Sequence, residues 1–117
     1  MNRAFFMGTV AMVIAMATAG LVYADHWNKI AELTAGGDAK EVTVDKTISK
    51  CVIKCTSGSV IINTLVVREG AKKTPIKVVS TITEGQEKLI EIGERRMVTG
   101  FRISDQGGGT YAISVNE

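Results

Sequence analysis

The chain has 117 residues, with 14 Lys+Arg against 12 Asp+Glu, 45% hydrophobic and 5% aromatic residues. Those averages join two unlike parts, because Met1–Ala24 carries a single charge, Arg3, yet holds four of the five Met, two of the three Phe and one of the two Tyr. The other 93 residues carry 13 basic and 12 acidic side chains, which leaves room for one small domain, excludes a second substrate domain, and gives no electrostatic case for nucleic acid.

Arg3 is a minimal basic start, Ala4–Ala17 is uncharged and mostly apolar, and Val22-Tyr23-Ala24 puts small or modest residues before Asp25. That order is the layout of a secretory signal peptide, a helical leader over 1–24, and it predicts a periplasmic or secreted protein. Ala17-Thr18-Ala19 offers a second cleavage site. The rival is an uncleaved anchor, since Ala4–Ala24 is 21 residues without a charge. Gly8, Thr9, Thr18 and Gly20 dilute that run. No Cys precedes Cys51, so a lipid-bearing Cys at the cleavage point is absent.

From Asp25 onward, 10 Val, 11 Ile and 10 Thr make up a third of the chain. Residues branched at Cβ fit a pleated surface. Period-two alternation predicts about eight strands, at 26–33, 41–45, 47–56, 59–69, 75–83, 88–92, 97–104 and 110–116. Gly and Asp punctuate most of the intervals, and TAGGDAK at 34–40 reads as a long mobile loop. The pattern predicts a single antiparallel β-sandwich over 25–117, with a jelly roll as one form of it. Cys51, Ile53 and Cys55 alternate with Lys50, Val52 and Lys54, so the first three face inward. A parity slip at Asn63-Thr64 predicts a β-bulge, and a second falls between Val98 and Phe101, around Gly100. Pro75 sits at a strand start, where a missing N–H is tolerated.

Few residues suggest chemistry. Cys51 and Cys55 in one extended strand would lie about 13 Å apart, beyond the roughly 7 Å that a disulfide spans. Three readings stay open: buried thiols, an intramolecular bridge across a local turn, or a bridge between chains. His26 is the only histidine, which weakens zinc sites and triad catalysis. The acids are scattered; Glu87 and Glu91 share a parity but no cleft is implied. Lys72-Lys73 and Arg95-Arg96, beside Glu69 and Glu94, read as turn and edge charges. The Gly107-Gly108-Gly109 run precedes a strand rather than a helix, so it is no phosphate cradle. No catalytic, cofactor-binding or metal-ligating set is assembled.

Several motifs together resemble a family of small exported bacterial β-proteins of unknown function. They are Trp27 after the leader, Lys50-Cys51-Val52-Ile53-Lys54, the bulged run from Val60 to Val67 ending in Glu69-Gly70, Ile76-Lys77-Val78, Ile82-Thr83-Glu84-Gly85, Leu89-Ile90-Glu91-Ile92-Gly93, Arg96 to Ile103, and Tyr111 to Val115. Ala31 departs from it, standing near an expected glycine. The resemblance implies a β-sandwich and residence outside the cytoplasm, and implies no catalytic residue. The expected function is a non-catalytic binding module for a protein or surface ligand. It would be a monomer or weak homo-oligomer, free of nucleic acid and, after cleavage, of membrane. The alternatives are an assembly protein self-associating through Cys51 or Cys55, and a small hydrolase or metal carrier using His26 and the acids.

Overall fold

A computed structural model describes residues 27–116. The leader, both cleavage sites and His26 lie outside the described residues. The elements are β1 (Trp27–Thr34), β2 (Lys40–Ser57), β3 (Ser59–Glu69), β4 (Lys72–Thr83), β5 (Glu87–Gly107) and β6 (Thr110–Asn116). They form one antiparallel sheet in the order β1-β6-β2-β5-β3-β4, with no helix among the described residues.

The predicted strands at 59–69 and 110–116 are β3 and β6 as read. The eight expected strands become six because two presumed breaks are bulges. Segments 41–45 and 47–56 join into β2, and 88–92 and 97–104 join into β5. The first join holds Asp45 at φ +49°, where β2 gains a residue on β5 between Thr43 and Lys46. The second holds Gly93 at φ +124°, where β5 loops out between the partners of Ile48 and Lys50. An extra residue in one strand bends it and raises its twist without ending the ladder. The predicted bulge at Asn63-Thr64 is present, as a register shift between Ile62 and Thr64 towards both neighbours. Pro75 lies inside β4 opposite Val66, but on an edge strand, where its lack of an N–H breaks no ladder.

The bent strands each serve two neighbourhoods. The second half of β2 pairs with β6 and with Glu87–Glu91 of β5, while the second half of β5 pairs with β3 and the first half of β2. The inner face therefore curls around one core drawn from β2 to β6 and covered by Ile30, Ala31 and Leu33 of β1. Ile48, Ile53, Ile62, Leu65, Phe101, Ile103, Tyr111 and Ile113 are fully buried. Val60 and Ile62 share one parity and Leu65 and Val67 the other, all buried, as the bulge requires.

Glycines set the close approaches. Gly100 lies over Val42, whose carbonyl oxygen would stand 2.8 Å from an added Cβ. This explains the second parity slip: the backbone of β5 is pressed against the bulged stretch of β2. The 34–40 stretch is a short connection held at several points, not a free loop. Ala35 N–H donates to Gly109 O at 2.9 Å, and Gly36 N–H donates to Asp105 Oδ1 at 2.7 Å.

Candidate functional site

Three places gather chemistry-bearing groups. The first is a polar cluster at the β1–β2 turn. Asp105 has a fully buried side chain, on the inward parity of Phe101 and Ile103. It accepts hydrogen bonds from Gly36 N–H, from Lys40 Nζ at 3.0 and 3.2 Å, and from Tyr111 Oη. Lys40 Nζ also donates to Gly36 O at 2.8 Å. Burial by itself pushes the Asp105 carboxyl up. The donors Tyr111, Gly36 and Lys40, with the Lys40 charge, outweigh it and hold the group below the usual aspartate range. Tyr111 is pushed well above the ordinary phenol value by burial, then by the hydrogen bond to Asp105 and its charge. A carboxylate held ionised and a phenol held protonated, both inside the core, make a structural polar network. The cluster fastens the β1–β2 turn to β5 and β6.

The second is the pair of cysteines. Both are free and fully buried, on the inner face with Ile53. Cys51 lies opposite Ile90 and Val115, and Cys55 opposite Tyr111. Burial pushes the Cys51 thiol up to about 12, so it is no nucleophile. The Cys55 thiol donates to the carbonyls of Ser57 at 3.3 Å and Gly58 at 3.5 Å. Of the three readings, buried thiols fit; a local turn is absent from β2, and neither sulfur is exposed for a bridge between chains. Alkylation of the native protein is expected to add no label, and alkylation in denaturant two, with the mass of a dithiol. A mass 2 Da lower without reductant would contradict the path of β2.

The third is an open seam. β4 is the last strand of the sheet, and Glu87–Glu91 of β5 pairs with β2 alone. Two adjoining hollows of about 420 and 200 Å³ lie between these segments. Ile76, Val78, Ile82, Lys88 and Ile90 line them. Ile82 and Ile90 are buried, whereas Ile76 and Val78 are only partly covered and pack against the rim of the core. Lys88 lines both hollows.

The remaining sequence candidates stay apart. Glu87 and Glu91 share the outer face, opposite Lys54 and Lys50. The two basic pairs converge in part, since Glu69 takes Arg96 at 2.6 Å and Lys72 at 3.7 Å. Among the described residues no group of three or more His, Cys, Asp or Glu is placed to hold a metal. The glycine run carries the chain from β5 to β6, which lie on opposite sides of β2, with Gly109 N–H donating to Ser59 O at 3.1 Å. Asp105, one of the scattered acids expected on solvated faces, is instead buried, and sequence reasoning missed Asn116. Asn116 is buried; its Oδ1 accepts from the N–H groups of Ser49 and Lys50, and its Nδ2 donates to Ser49 Oγ. It thereby fills the backbone valences that the second bulge frees. Comparison with family models, curated proteins and solved structures finds no match.

Proposed function

We propose that this chain is an exported, non-catalytic interaction module of the periplasm or the extracellular space. The observation that supports this reading best is the seam, where strand edges and part of the inner apolar row are left open beside a filled core. An edge with unpaired N–H and C=O groups is a template for another chain. In finer detail we read the curled sheet as a β-sandwich, the halves of β2 and β5 on either side of their bulges belonging to different layers. The leader layout of residues 1–24 supports export, and the resemblance to small exported bacterial proteins supports the same residence.

The test is recovery of the protein from the outer fractions of its host under mild cross-linking. The expected result is an intact mass beginning at Asp25 or Gly20 and one partner at fixed stoichiometry. A chain retaining Met1, or one that carries no partner, would count against the reading.

A further inference from the structure

We infer that the seam accepts an extended segment of a partner protein as an added strand along Glu87–Glu91 of β5, an inference that rests on the interaction-module reading. The two free edges bordering the seam are not equivalent. On β4, Pro75 lacks an N–H, Val79 breaks the extended path at φ +46°, and Lys73 and Lys77 are exposed. Those are devices that protect an edge from pairing. Glu87–Glu91 has no proline and no residue at positive φ, and its one lysine, Lys88, stands on the inner face beside Ile90, where it can meet an acid of an added strand. The segment pairs with Lys54–Lys50 without a register shift, so its backbone is regular and its far edge is ready for a second ladder.

The side chains state the partner's chemistry. On the inner face, Lys88 stands at the parity of Ile90 and Ile92, and among the described residues it has no ion pair. On the outer face, Glu87 and Glu91 flank Leu89, which is 41% exposed. Directly opposed pairs on one face contribute most when opposite in charge or both apolar. The matching segment therefore reads, antiparallel to β5, basic, apolar, apolar, acidic, basic. Its acid meets Lys88 and its inner apolar residue covers Ile90 beside Ile76 and Val78. This resembles β2 on the opposite side, Lys50-Cys51-Val52-Ile53-Lys54, with an acid in place of Ile53. The mode is strand addition, in which main-chain bonds give affinity and alternate side chains give specificity.

The probe is the peptide acetyl-TKVVEKT-amide, titrated into the purified protein and followed by amide and methyl NMR. Shifts are expected at Glu87–Ile92 and at the methyls of Ile76, Val78 and Leu89. The peptide acetyl-TKVPEKT-amide, which lacks the central donor, is expected to be silent. Lys88→Glu, an exposed substitution that leaves the core intact, is expected to weaken binding at least tenfold, and a peptide with Lys in place of its acid restores it. Amide shifts along β1 or β4 with none at Glu87–Ile92, equal response to the proline peptide, or no response would overturn the strand site, and Lys88 is then an edge guard. Binding of a second copy of this chain at the same edge would overturn the choice of partner. A host partner that co-purifies equally with wild type and Lys88→Glu removes this site while leaving the module reading intact. A host partner found with neither protein removes the module reading itself.

Discussion

Asp105→Asn is expected to lower stability by about 3 kcal/mol, the lower end for breaking a buried ion pair from one side. The Lys40 side chain is 24% exposed and can turn partly to water, which keeps the loss from the upper end. In a domain of this size that loss corresponds to roughly 10–20 °C in Tm. Tyr111→Phe leaves Asp105 one donor short and is expected to cost about 1–2 kcal/mol. The pH dependence follows from the direction of each shift. Asp105 is held below its unfolded value, so its contribution is present above pH ~3.9 and is lost as pH falls below it. Tyr111 is raised, so its contribution is present below pH ~10 and fades as pH rises beyond that, where the unfolded phenol ionises. Thermal melts from pH 2.5 to 7 check the first: wild type should lose Tm on the acid side, and Asp105→Asn should lose less. Equal slopes for the two proteins would mean that Asp105 is not held ionised by these donors.

The second large effect lies in the glycine run. A Cβ on Gly109 would stand 2.6 Å from Ser59 N and 2.8 Å from Ser59 O, both backbone atoms that cannot rotate away. Gly109→Ala is therefore expected to cost at least about 3 kcal/mol, the top of the usual range for overpacking. Gly107→Ala should behave similarly, with Ser59 O at 2.8 Å and φ at +99°. Between them, Gly108 has nothing within 4 Å of an added Cβ. Gly108→Ala should change stability by no more than about 0.5 kcal/mol. Urea unfolding of the three variants checks the contrast. Three equal losses would mean that the run is a flexible connection rather than a close crossing over β3.

How far the sequence carries depends on whether a feature is local. The alternation in β3 and its slip at Asn63-Thr64 are local, and the bulge lies where they place it. Asp45 and Gly93 mislead because a residue at positive φ serves a turn or a bulge alike, and only the partner strand decides which. The cysteine geometry was legible because the spacing along a strand is fixed. Asp105 left a signal that composition hides: it continues the inward parity of Phe101 and Ile103, so an acid sits where the pattern requires an apolar residue. Asn116 left none, since its task is set by a bulge in a strand 66 residues away. The seam was illegible for a related reason. Which strand edge stays open is a property of the order β1-β6-β2-β5-β3-β4, and no residue in Glu87–Glu91 announces it.

Residue-resolved amide exchange of the purified protein tests the open edge most directly. Successive amides of an edge strand point alternately to its neighbour and away from it. Within Glu87–Ile92, amides turned towards β2 should exchange slowly and those turned towards the seam rapidly, while the inner strand β2 is protected on both sides. Slow exchange at every amide of Glu87–Ile92 in the free protein would show that edge to be already paired and would contradict the open seam.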